Sequence, residues 1–137
     1  MSGDSTNGYA YVLTCFDPAN FSTLVQKFDQ EIGKGKYFFP PEPGGVKSLL
    51  GSDQDRNYVL SKIETARKVH RFGRILLINH SQCGAYRMAG MEFSNLEEEE
   101  RFHQQEMEKA AEILRHHFPD ITVETHYFRK DLQQMAW

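Results

Sequence analysis

The chain has two cysteines, and each follows a short apolar run. "YAYVLTCFDPAN" carries Cys15 and Asp17, and "ILLINHSQCGAYR" carries His80 and Cys83. Two thiolates and one imidazole are a good ligand set for zinc, a borderline-soft ion that takes sulfur and nitrogen in tetrahedral sites. Three protein ligands leave a fourth position. One residue separates Cys15 from Asp17, so on an extended chain both side chains point to the same side. Asp17 then either accepts a hydrogen bond from a metal-bound water or takes the fourth position itself. The first arrangement is potentially catalytic, because the metal lowers the pKa of its water to about 7; the second is a closed, structural site. A redox pair of Cys15 and Cys83 is the third chemistry open to these residues.

The elements that must bring these residues together can be read from periodicity. Tyr9–Thr14 is a compact apolar run with aromatic and β-branched members and reads as a buried strand ending at Cys15. Asn20–Glu31 places Phe21, Leu24, Val25, Phe28 and Ile32 at helical spacing, stopped by Gly33 and Gly35. "KYFFP" is a short strand, ended by "PPEPGG", and a loop through "SLLGSDQD" comes next. From Asp55 to about Arg71, the residues Tyr58, Val59, Ile63, Ala66 and Val69 mark a second helix, with Ser52 or Asp53 as its cap. Ile75–Ile78 is a continuous aliphatic run of the kind buried on both faces of a parallel sheet, and it leads directly to His80 and Cys83. Ser94 with Glu97 has capping-box spacing for a long helix reaching Phe118 that buries Met107, Ala110, Ala111 and Leu114. Ile121–Phe128 reads as the last strand.

This alternation predicts a three-layer α/β domain with a mainly parallel sheet of about four strands flanked by helices. In such sheets ligands bind beyond the carboxyl ends of the strands, where Cys15, His80 and Cys83 all fall. At 137 residues the chain is expected to be one domain, 1–137, with a flexible polar arm over 1–8. Net charge is −3 with both signs scattered, which offers no footprint for nucleic acid or for an anionic membrane. "MSGDSTNG" lacks the features of a signal peptide and no apolar segment approaches a membrane span, so the expected compartment is the cytoplasm. There, two cysteines are expected to be free, metal-bound or catalytic rather than a structural disulfide.

Several other residues have plainer readings. Glu97–Glu100 suit the first turn of a helix, where acidic side chains complement the macrodipole, and His116 and His117 suit its end as surface residues. "GGVK" lacks the spacing of a phosphate loop and reads as a turn. Trp137 is either a free end or an aromatic anchor in a subunit interface.

Cys15-Phe16-Asp17-Pro18-Ala19 and His80-Ser81-Gln82-Cys83-Gly84, on these elements and at this separation, resemble the C-x-D-x-R and H-x-x-C-G motifs of the β-class carbonic anhydrases. The resemblance covers roughly Tyr9–Phe128. It implies a zinc ion held by Cys15, His80 and Cys83, with Asp17 as the catalytic carboxylate that orients the nucleophilic water. The implied reaction is reversible hydration of carbon dioxide to bicarbonate by zinc-bound hydroxide; relatives also hydrolyse carbonyl sulfide and carbon disulfide. A homodimer is the family expectation, and Gly84 is expected to allow tight packing after the ligand loop.

The chain departs from the motif at Ala19, where the family has the arginine that pairs with the aspartate and holds it off the metal. Its loss would free Asp17 to close the site, leaving a non-catalytic zinc protein that serves as a binding or assembly module. Pro18, Ala19, Asn20 and Phe21 supply no charge, so a replacement must come from elsewhere, with Lys36, Lys47 and Arg87 as candidates. Against the family the chain reads as short, and it is expected to be without the N-terminal helices that in many relatives wrap a neighbouring subunit.

Overall fold

The computed structural model describes residues 8–15 and 17–137. The expected flexible arm over 1–8 lies outside these, Gly8 excepted. Four strands are parallel: β1 (Ala10–Thr14), β2 (Tyr37–Phe38), β3 (Arg74–His80) and β4 (Thr122–Arg129). A two-residue strand, β5 (Gln134–Met135), adds antiparallel to β4, and the order across the sheet is β2-β1-β3-β4-β5. The sheet therefore has five strands rather than about four. The last is a hairpin return whose "QM" has too few residues to carry a strand pattern; backbone pairing to Phe128 and Arg129 defines it.

Side-chain alternation along the strands divides the interior in two. Tyr11, Leu13, Ile75, Leu77 and Val123 face α2 (Asp53–Val69) and the long α4 (Leu96–His117), packing with Val59, Ile63, Met107, Ala111 and Leu114. Ala10, Val12, Leu76, Ile78 and Phe128 face α1 (Pro18–Phe28) and pack with Leu24 and Phe28. Leu76 and Ile78, on the central strand, are fully buried, as their aliphatic run implies. The outcome is the three-layer α/β sandwich.

Local differences from the sequence reading have simple causes. The core face of α2 is Val59, Leu60, Ile63 and Ala66, whereas Tyr58 and Val69 are exposed; the Tyr58 ring instead receives Lys62 Nζ at 4.7 Å. Phe21 is likewise exposed, and stacks on Phe39. The loop after "PPEPGG" contains a 3-10 helix, Gly45–Leu50, because Val46 and Leu49 are three apart and share one face at three residues per turn; both are fully buried. The cap of α4 lies one residue later than Ser94: Asn95 Oδ1 accepts from Glu98 N, and Glu98 Oε2 from Ser94 N. Asparagine caps as well as serine, and both pairs have the required spacing. Ser52 caps α2, accepting from Asp55 N.

Candidate metal centre

The chain leaves β1, forms α1 and lays β2 on one side of β1; it then crosses through α2 to lay β3 on the other. The strand order reverses at the carboxyl ends of β1 and β3, the place where open α/β sheets form their ligand crevice. Register brings Thr14 against Ile78, so Cys15, one residue past β1, emerges beside the end of β3, where His80 is the last residue. After His80 the backbone turns through Gln82, at φ 57°, into Cys83, the N-cap of a short helix α3 (Gly84–Met88). The amide of Gln82 is held by Glu99 Oε2 at 2.8 Å, which ties this loop to α4.

Cys15, His80 and Cys83 are thereby gathered, with one ligand atom of each within 4.8 Å of the others. All three are buried. His80 Nδ1 donates to Ser81 O at 2.7 Å, so Nε2, buried and without a hydrogen-bond partner, is the ring nitrogen left to face a metal. The two sulfurs stand 3.8 Å apart. Two thiolates each about 2.3 Å from a tetrahedral zinc also sit about 3.8 Å from one another, so the sulfur pair fits an ion of that size. An orphaned imidazole nitrogen beside two sulfurs at this spacing is a donor set able to hold a metal ion.

The thiols differ in their ease of ionisation. Cys83 donates to Cys15 and thereby stabilises a thiolate there; burial opposes this, while His80 and the Gly44 amide, donating at 3.4 Å, reinforce it. Together these hold Cys15 below the ordinary thiol range. Donating to that thiolate, together with burial, pushes Cys83 well above the ordinary thiol range.

Asp17 lies beside this cluster, outside the group of three. It caps α1, with Oδ1 accepting from Ala19 N at 2.9 Å. Its Oδ2 accepts from Lys130 Nζ at 2.8 Å. The cation that reaches Asp17 therefore comes from the turn after β4, 113 residues away, and is not among those the sequence nominated. Arg87 instead lines a cleft of about 480 Å³ beside Cys83, with Gln82, Phe93 and Glu99. Burial alone would raise the Asp17 carboxyl, but the bonds from Lys130 and the Ala19 amide and the charges of Lys130 and His80 outweigh it and hold it below its ordinary value.

The sequence reading missed other supports. The "GG" turn is more than a turn, since Gly44 N–H donates to Cys15 Sγ. Glu99 is buried and holds the loop between His80 and Cys83, a role beyond that of a first-turn acid. Behind the cluster, Asn79 Nδ2 donates to His103 Nδ1 at 2.9 Å, and His103 is fully buried. Gly84, in contrast, meets no close packing: a Cβ there would have nothing within 4 Å. His116 and His117 are exposed in the last turn of α4, and Trp137 stacks on His126 within the chain.

No protein-family model matches the chain. A curated relative, an uncharacterised protein from Rickettsia bellii, is 32% identical over 65 residues, which span 46% of this chain and 40% of that protein. Solved structures decide the fold. A tetrameric β-carbonic anhydrase from Sordaria macrospora matches with TM-score 0.66 at 15% identity, covering 96% of this chain and 81% of its own. The carbonic anhydrase of Streptococcus mutans matches at 0.63 and 12% identity, over 95% and 81% of the two chains. The fold resembles that of the β-carbonic anhydrases. A third neighbour, the carbonic anhydrase of Glaciozyma antarctica, matches at TM-score 0.62 and 10% identity, covering 99% of this chain and 87% of its own. Among the described residues no helix is long and apolar enough to cross a membrane.

Proposed function

We propose that this protein is a zinc-dependent carbonic-anhydrase-like enzyme that interconverts carbon dioxide plus water with bicarbonate plus a proton. The observation that carries the reading is the gathering of Cys15, His80 and Cys83 at the crevice of a β-carbonic-anhydrase-like fold. These residues would hold zinc, which when bound supplies a Lewis acid that brings the pKa of a water to about 7. Asp17, held below its ordinary pKa beside Lys130, is an acceptor-only carboxylate at neutral pH. Each of its oxygens keeps a free lone pair after bonding Ala19 N and Lys130 Nζ, so it can accept a hydrogen bond from the attacking water and turn the oxygen lone pair toward carbon. Carbonyl sulfide or carbon disulfide would present the same electrophilic carbon.

The competing reading, a non-catalytic module with Asp17 closing the metal site, takes its support from Ala19. The engagement of both Asp17 oxygens by other donors weighs against it. A cytoplasmic homodimer belongs to the proposal as well. Stopped-flow hydration of carbon dioxide by zinc-loaded protein tests it: the expected result is turnover that falls at least about 10²-fold in Asp17→Asn. Stoichiometric zinc without any acceleration between neutral and alkaline pH would overturn it.

A further inference from the structure

The β4–β5 turn is tied at several points to the segments that carry the site. Lys130 N donates to Ser81 Oγ at 2.8 Å, and Ser81 N donates to Phe128 O at 3.0 Å, so the start of the turn is bonded to the residue after His80. Gln133, at φ 51°, closes the turn by donating through Nε2 to Lys130 O at 3.0 Å. The same amide nitrogen reaches the buried Asn20 Oδ1 at 3.2 Å, and Thr23 Oγ1 donates to Gln133 Oε1 at 2.8 Å. Asn20 and Thr23 lie on α1, the helix that Asp17 caps. The backbone of Lys130 is thus fixed against both ligand-bearing stretches before its side chain reaches Asp17.

We infer that Lys130 is a positioning residue: its ammonium, delivered by the β4–β5 turn, keeps the Asp17 carboxylate out of the cluster of Cys15, His80 and Cys83, and so keeps a place open there for an exogenous ligand. A half-exposed ion pair on free side chains would be too weak for this role. Here the backbone ties remove much of the freedom that the pair would otherwise have to overcome. Ala19 N holds the other oxygen, so release of Lys130 frees one carboxylate oxygen to swing toward the metal ligands while the helix cap persists. The inference rests on the metal-site reading above, and its test separates the two.

Cobalt(II) is loaded in place of zinc into wild type, Lys130→Arg, Lys130→Met and the double variant Lys130→Met/Asp17→Asn. Visible absorption is followed while thiocyanate is added. Wild type is expected to change its spectrum with thiocyanate, and Lys130→Arg to do so within about threefold of the same concentration. In Lys130→Met the carboxylate competes, and a closed state populated nine times in ten raises the apparent thiocyanate dissociation constant about tenfold. The double variant, which removes both charges together, is expected to regain the response. A wild-type spectrum indifferent to thiocyanate, an unchanged Lys130→Met, or a double variant that stays unresponsive would each overturn the role of Lys130 while leaving metal binding in place. A protein that takes up neither cobalt nor zinc would overturn the metal site, and this inference with it. If Lys130→Met does not fold, Gln133→Ala decides: it keeps the ammonium but cuts the ties to Asn20 and Thr23, so a weaker thiocyanate response supports the inference and an unchanged one overturns it.

Discussion

The Sγ atoms of Cys15 and Cys83 stand 3.8 Å apart although 68 residues separate them in the chain. Each sits just beyond a central parallel strand, and with His80 they form the one group of three or more clustered metal-ligand side chains among the described residues. If that pair holds zinc, Cys83→Ser removes a thiolate donor and leaves an imidazole and one sulfur. Loss of an outer-shell partner alone typically costs ~10–100-fold in metal affinity, so loss of this ligand is expected to cost more than about 100-fold. Competition with a chromophoric chelator measures it; retention of wild-type affinity would exclude Cys83 from the site.

Protons released on metal binding report the state of the thiols. With Cys15 shifted down and Cys83 shifted up by the hydrogen bond between them, the pair holds about one proton at neutral pH. A metal needs both deprotonated, so the pair is expected to release about one proton per zinc at pH 7, and zinc affinity is expected to fall as pH falls. A lightly buffered indicator dye reads the release. Two protons from the thiols would mean that Cys83 does not share its proton with Cys15.

Gly45 is at φ 61°, and a Cβ there would lie 3.0 Å from Asn79 Oδ1, 3.2 Å from Ile78 O and 3.4 Å from Cys15 N. Two of these are backbone atoms of strand ends that cannot turn aside. Gly45→Ala is therefore expected to cost about 1–3 kcal/mol, from left-handed strain and from crowding. Because the crowding falls on Cys15 and beside His80, zinc affinity should drop as well. Denaturant melts and chelator competition on the same sample check both; wild-type stability would contradict the close approach.

His103 is buried as a neutral ring, its pKa depressed to about 4 chiefly by burial and secondarily by His80. The unfolded chain binds this proton from about pH 6.5 downward, so the unfolded state holds more protons between 6.5 and 4. Stability is therefore full above pH 6.5 and is lost as pH falls toward 4, by about 2–3 kcal/mol from this residue. His103→Gln, which keeps a polar group against Asn79, is expected to flatten that part of the profile, read by melts from pH 7 to 4.5. A profile as steep as wild type would assign the loss to other groups.

Local chemistry made the four parallel strands, the three longer helices and the three candidate metal-binding side chains legible in the sequence. Ile75–Ile78 reads as a buried strand, and a parallel sheet delivers the residues just past each carboxyl end to one edge; the pairing of β1 with β3 then brings Cys15, His80 and Cys83 together. Strand spacing and helical periodicity act over a few residues, and short windows of sequence carry them. Lys130 was invisible at that range. Nothing in "FRKDLQQMAW" marks a strand return, and Lys130 finds Asp17 because Ser81, Asn20, Thr23 and Gln133 fix a turn across three separate segments. Gly44, Glu99 and His103 likewise acquired their roles through contacts between distant stretches. The sequence by itself determined which residues could bind a metal and the kind of fold that gathers them. Only the tertiary structure decided which cation faces Asp17, because hydrogen bonds between segments far apart in the chain depend on where the packed layers come to rest.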